Sequence, residues 1–260
     1  MSLFYAFLIT LIAGLATGIG ALLTFGRYKP NTLFLSLSLG FSAGIMLYVS
    51  FMEILPMAIN VSSQIDMIVG FFMGVMIIAL IDVVIPNNEN PHEFFHNPSD
   101  LKQLQTPIVR HHLLKTGLLT ALAIAVHNFP EGFITFVSLL EYPQIGLGIA
   151  VAIALHNIPE GIAISVPIFY ATNNRIKAFW YSFLSGLSEP IGAIIGYLLL
   201  KPFLSPTVLG MILSATAGVM VYIALEELLP TAKRYSQNRL SIFSVFIGMF
   251  VMAVSLWILP

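Results

Sequence analysis

The sequence predicts an all-α integral membrane protein of eight transmembrane helices. Three observations carry that prediction: charge is scarce, apolar runs of bilayer-crossing length recur, and basic residues gather on one side of them. Hydrophobic residues make up 58% of the 260 positions and charged residues 9%, with a mean hydropathy of +0.92. A soluble domain carries roughly a quarter charged residues. The runs are continuous, whereas barrel strands alternate apolar and polar positions, so a transmembrane β-barrel is excluded. A net charge of -1 offers no basic surface, which excludes nucleic acid and leaves the lipid bilayer as the surrounding partner.

The spans follow in order. Residues 3–25 form the first, with no basic leader and enough length to cross, so it reads as a retained helix rather than a cleaved signal peptide. Spans at 32–58 and 64–86 come next. The polar connection at about 87–110 is the only long one, and it holds His92 and His96, with His111 just beyond. Those two histidines are spaced for chelation and suit a metal-gathering loop; the alternative is a solvated pair. Spans at 112–140, 143–171, 176–200, 206–232 and 240–259 complete the set, as a single domain over 1–260.

Arg27 and Lys29 follow span 1, and Lys102, Arg110 and Lys115 follow span 3 or open span 4. Arg175 and Lys177 follow span 5; Lys233, Arg234 and Arg239 follow span 7. With eight spans, all of these share one face of the membrane, and Lys201 alone of the eleven basic residues lies on the other. Cytoplasmic loops collect Lys and Arg, so both termini are expected outside.

Segments of the chain resemble one another. Ala43, Gly44, Met46 and Tyr48 recur as Ala217, Gly218, Met220 and Tyr222, and at the same offset Glu53 and Pro56 recur as Glu227 and Pro230. Gly14, Ile19 and Gly20 recur as Gly186, Ile191 and Gly192. Span 1 thus pairs with span 6 and span 2 with span 7. Five spans separate partners, so they run in opposite directions, an inverted repeat of the kind that builds alternating access around a site at the repeat interface.

The sharpest recurrence carries the chemistry. His127, Asn128, Pro130, Glu131 and Gly132 in span 4 return as His156, Asn157, Pro159, Glu160 and Gly161 in span 5. About twelve residues separate each motif from the intervening turn, or ~18 Å of helix, close to the ~15 Å half-thickness of the hydrocarbon core. Both motifs are therefore expected near mid-membrane. His and Glu four apart share a helical face, and each proline frees a carbonyl one turn back. With no cysteine in the chain, metal ligation falls to His, Glu, Asp, Asn, Met or backbone oxygen, and imidazole with carboxylate suits divalent transition metals. A dication offsets two glutamates that hydrocarbon otherwise penalises. The alternative is a polar clamp between spans 4 and 5.

Further candidates are less central. Glu189, between Ser188 and Pro190 in span 6, reads as a ligand or gate. Glu53, toward the outer end of span 2, and Glu226 and Glu227, toward the inner end of span 7, read as acidic vestibules. Met46 is soft and central, though a core role is the alternative. Asp82 suits an exit stop near the inner end of span 3.

At the paired motifs and at the Ser188 to Gly192 run, the chain resembles the ZIP family of metal transporters, and in particular its bacterial ZupT type. The resemblance covers essentially the whole chain. It implies a 3+2+3 arrangement, with helices 1–3 and 6–8 flanking a central 4–5 pair, and often a homodimer. It implies transport of zinc, and also of iron, manganese and cadmium, across a plasma or bacterial inner membrane into the cytoplasm. For the first ion it implies ligation by His127, Glu131, His156 and Glu160, with Met46 assisting. For a second it implies Asn128, Glu131, Asn157, Glu160 and Glu189. Many members carry an aspartate where Asn157 stands. No prosthetic group is implied, the metal being cargo. The competing class is a membrane-embedded metal hydrolase using the same ligands, against which stand the absence of a His-Glu-x-x-His run and of a separate general base.

Overall fold

The computed structural model describes residues 1–25, 32–84, 107–235 and 239–258. Among them there are helices and no strand. Here α1 is Leu3–Phe25. Helix α2 runs from Thr32–Val49 through a π-helical turn, Ser50–Ile54, into Leu55–Val61. Next come α3 (Gln64–Val84), α4 (Pro107–Glu141) and α5 (Pro143–Thr172). Helix α6 is Arg175–Gly186 followed by Ser188–Leu200. Helix α7 runs from Pro206–Tyr222 through a π turn, Ile223–Leu228, into Leu229–Tyr235, and α8 is Leu240–Ile258. Seven of these are long and apolar enough to cross a membrane. The eighth, α3, has 21 residues and an apolar stretch over Gln64–Leu80.

Proline chemistry accounts for where the observed helices differ from the predicted ones. Helix α4 begins at Pro107, so residues 107–110, expected in the loop, are helical; a proline is well placed in a first turn, which has no use for its missing N–H. The spans expected to end at 58 and 232, just past Pro56 and Pro230, run on to Val61 and Tyr235. Each proline sits just after a π turn, which absorbs the lost hydrogen bond by widening the ladder. In α6, Pro190 cannot donate to Gly186, and the helix is interrupted at Leu187. The remainder of the predicted 87–110 loop lies outside the described residues.

The helices pack in two groups. In one, α1 lies along α5, α5 along α4, and α6 against both α4 and α1. In the other, α3 lies along α7, and α2 along α8 and the end of α7. Helix α2 also contacts α5 and so joins the groups. A core of Met46, Val49, Phe133, Ile134, Ile149, Leu213 and Met220 fills the junction.

Glycines set the closest crossings. A Cβ on Gly132 would strike the Glu189 carbonyl oxygen, one on Gly192 the Phe129 carbonyl, one on Gly161 the Thr17 carbonyl and one on Gly20 the Ile158 carbonyl. These contacts recur in matched sets. The shift that carries Gly14 to Gly186 also carries Thr17 to Glu189 and Gly20 to Gly192. With Asn128 matched to Asn157, the α4–α6 crossing then maps onto the α5–α1 crossing. Likewise Gly44 meets Val245 and Gly248 meets Phe41, while Gly218 meets Phe71 and Gly74 meets Ala215. The shift that carries Tyr48 to Tyr222 turns the first pair of contacts into the second.

Helix α5 is enclosed and the outer helices are not. The apolar window of α5 is 67% buried against 28% for α8. Phe72, Met76 and Leu80 of α3, and Phe246, Phe250 and Trp257 of α8, point outward. Faces this large and apolar are a liability in water and suit acyl chains.

Candidate metal-binding site

Helices α4 and α5 bring the two motifs side by side. Pro130 and Pro159 lie inside continuous helices, so each motif keeps its helical spacing while the carbonyls of Val126 and Leu155 lose their usual donors. Asn128, Glu131, His156, Asn157, Glu160 and Glu189 are all at most 2% exposed. Glu131 Oε2 lies 3.2 Å from His156 Nε2, a contact between α4 and α5. Glu189 opens the second half of α6, where the helix dipole favours a carboxylate. Its Oε1 accepts a hydrogen bond from Asn157 Nδ2, which also donates to the Ala13 carbonyl at 2.9 Å. Glu189 is within electrostatic range of both Glu131 and Glu160.

Both glycines of the motif are steric requirements here. Gly132 lets the α6 backbone cross at Glu189, and Gly161 lets the α1 backbone cross at Thr17. Around them, polar atoms lack partners among the described residues: Asn128 Nδ2 and Oδ1, Asn157 Oδ1 and Glu189 Oε2. Buried polar groups are rarely left so, and the unpartnered amide and carboxylate oxygens are what a divalent cation would satisfy. Among the described residues no three His, Asp or Glu side chains are already gathered into one cage.

The predicted positions separate as follows. The structure brings together Glu131 with His156, Asn157 with Glu189, and Glu189 within electrostatic range of Glu131 and of Glu160. His127 lies one turn before Glu131 on α4; its side chain is outside the described residues, as is that of Asp82 on α3. Met46 is fully buried in the apolar junction. Glu53 and Glu227 occupy matching π turns, with Glu226 beside the latter; Glu53 and Glu227 are half-buried and Glu226 is exposed. His92 and His96 lie outside the described residues. The Ala13 carbonyl, which holds Asn157, is invisible in the sequence because a backbone acceptor leaves no side-chain signal.

A sequence model of the family described as ZIP zinc transporter matches residues 86–256. The chain belongs to the ZIP family. Among its relatives, the zinc transporter ZupT of Clostridium perfringens (strain 13 / Type A) is 52% identical over 96% of this chain and 94% of its own length. The zinc transporter ZupT of Chlorobium limicola (strain DSM 245 / NBRC 103803 / 6330) is 52% identical over the full length of both. That of Streptococcus mutans serotype c (strain ATCC 700610 / UA159) is 51% identical over 98% of this chain and 97% of its own. Membership in the ZIP family, with seven apolar helices of crossing length, makes the chain a multi-pass membrane protein of a transporter family. It is not an enzyme, and the hydrolase alternative falls away.

Proposed function

We propose that this chain carries zinc, and with it iron, manganese and cadmium, across the cell membrane into the cytoplasm. The path runs through a mid-membrane site of His127, Asn128, Glu131, His156, Asn157, Glu160 and Glu189. The single observation that carries this is the burial of Glu131, Glu160 and Glu189 on α4, α5 and α6, with Glu131 against His156 and Glu189 against Asn157. Carboxylates in range of one another and away from water repel and lose hydration, and a dication reverses both penalties. On this reading one or two ions are held at a time, with Glu131 and Glu160 shared when there are two. The relatives named as zinc transporters support zinc as the principal cargo.

Carriage, rather than storage, is supported by the matched contacts. Crossings that recur under the same shifts fit an inverted repeat in which α1–α3 and α6–α8 flank α4–α5, the 3+2+3 arrangement. Such repeats have two symmetry-related packings of similar energy. Alternation by an elevator or rocking movement of α4 and α5 follows, and the glycine crossings couple α1 and α6 to that movement. The basic face is the cytoplasmic one, with both termini outside. The setting is a plasma or bacterial inner membrane, and the assembly a homodimer. The whole chain acts as one domain, with the loop histidines His92 and His96 gathering ions on the cytoplasmic side. Glu53, Asp82, Glu226 and Glu227 line the approaches, and Met46 flanks the site from α2.

The test is metal uptake into proteoliposomes holding purified protein, with Zn²⁺, Fe²⁺, Mn²⁺ and Cd²⁺ offered separately. Flux in the wild type that Glu131→Ala abolishes supports the reading, and the order of the ions ranks its cargo. Tight binding without flux of any ion would overturn it.

A further inference from the structure

The matched crossings place Thr17 of α1 where Glu189 stands in α6. A Cβ on Gly14 would lie 3.2 Å from Glu189 Cβ and 3.4 Å from its Cδ. In the matching place, a Cβ on Gly186 would lie 3.0 Å from Thr17 Cβ and 2.9 Å from its Oγ1. The two side chains therefore leave their helices in equivalent directions. Glu189 reaches Asn157; under the same match the amide corresponding to Asn157 is Asn128, and the Thr17 side chain is shorter than that of Glu189 by a carboxyl group.

What that shortfall leaves is visible in the hydrogen bonding. Asn157 Nδ2 has two acceptors, Glu189 Oε1 and the Ala13 carbonyl. Asn128 has no partner for either amide atom among the described residues, nor has Thr17 for Oγ1. Both residues are 0% exposed. Three polar atoms without partners among the described residues, at wholly buried positions matched by the repeat, call for a polar guest. A water molecule fits the missing carboxyl in size and can bridge a hydroxyl to an amide. Packing alone does not account for the hydroxyl, because a valine of the same shape would fill the position without an orphaned donor.

We propose that Thr17 is a selectivity-determining residue of the transport site. Through one water, its hydroxyl supplies an oxygen position to the coordination shell of the bound ion, on the side facing Asn128 and opposite Glu189. The proposal rests on the transport reading above. Its consequence follows from coordination chemistry. Zinc is satisfied by four nitrogen and oxygen ligands, whereas manganese prefers six oxygens in an octahedral shell. An added neutral oxygen position thus favours manganese more than zinc, and its loss discriminates between them.

The experiment compares full-length wild type, Thr17→Val, Thr17→Ser and Thr17→Cys in proteoliposomes, with initial uptake of Zn²⁺, Mn²⁺ and Cd²⁺ measured against concentration. In Thr17→Val the KM for Mn²⁺ is expected to rise about 5-fold, as for the loss of one hydrogen-bonded contact. The KM for Zn²⁺ should move less than about 2-fold on the same ground. Thr17→Ser should match the wild type. Thr17→Cys, which keeps the size and replaces oxygen by soft sulfur, should shift preference toward Cd²⁺ and gives the answer should the valine variant fail to fold. Parallel changes for all ions, or an unchanged ratio in both Thr17→Val and Thr17→Cys, would overturn the role of Thr17 while leaving transport standing. A wild type that moves no ion would overturn both.

Discussion

Where α1, α4, α5 and α6 meet, the buried polar residues include Asn128, Glu131, His156, Asn157, Glu160 and Glu189. Between α2, α3, α7 and α8 those among the described residues are hydroxyls, such as Ser36, Ser214 and Ser244. Several hydroxyls of this second group bond backbone carbonyls, Ser36 that of Ala232 at 2.6 Å, Ser214 that of Gly210 and Ser244 that of Ser241, while Ser50 Oγ has no partner among the described residues. Both groups use glycine to bring backbones together, so close packing does not distinguish them. What distinguishes them is the kind of buried polarity, carboxylates and amides in one against hydroxyls in the other. Small hydroxyls that bond backbone carbonyls are compatible with a permanent, apolar framework. Carboxylates and amides left with open positions need a guest that comes and goes. Under the proposed function, cargo handling falls to one group and support to the other, with the apolar junction around Met46 and Met220 as the surface between them.

The largest expected effect tests that division directly. Glu131→Ala should lower zinc uptake in proteoliposomes by roughly 100-fold or more, since even the partners of metal ligands are worth 10- to 100-fold. Ser214→Ala should leave uptake within about 2-fold, because that hydroxyl bonds only its own helix. An equal loss in both would dissolve the distinction.

Next in size is stabilisation by zinc. At a zinc concentration about 100 times Kd the folded protein should gain about 2.7 kcal/mol, seen as a rise in Tm in detergent and reversed by EDTA. Glu131→Ala should abolish the rise. A rise that survives in that variant would place the ion elsewhere.

Steric probes sharpen the comparison further. Gly161→Ala and Gly248→Ala each drive a Cβ into a facing backbone carbonyl, of Thr17 and of Phe41 respectively. Each should cost about 1–3 kcal/mol of stability through overpacking, measured as a lower Tm. Only Gly161→Ala should also raise the zinc KM, because only that crossing positions ligands. The smallest effect is expected at the junction. Met46→Leu conserves volume and should cost less than ~1.5 kcal/mol, with zinc uptake within about 2-fold. A selective loss of cadmium uptake in that variant would instead make its thioether a ligand.

Much of the fold and of the site is legible in the chain itself. Charge scarcity and run length mark the helices, because hydrocarbon forbids unsatisfied backbone and so dictates a continuous apolar helix for each crossing. The paired His-Asn-x-Pro-Glu-Gly motifs mark the site, because an ionisable group at mid-membrane is too costly to be idle. Prolines are less legible. Pro56 and Pro230 read as the approach to a helix end, yet the π turns at Ser50–Ile54 and Ile223–Leu228 carry both helices past them. Which remedy a helix adopts depends on its neighbours.

The sequence by itself determined the elements, the donor set and the internal matches, since these follow from hydropathy, side-chain chemistry and identity at a fixed shift. Only the tertiary structure decided the company each residue keeps. It paired Glu131 of α4 with His156 of α5, and brought Glu189 from α6 onto Asn157. It also set Met46 in an apolar junction and buried Thr17 and Asn128 with polar atoms that have no partner among the described residues. Those relations depend on how closely helix axes approach, which the glycines permit but which only the packed assembly fixes.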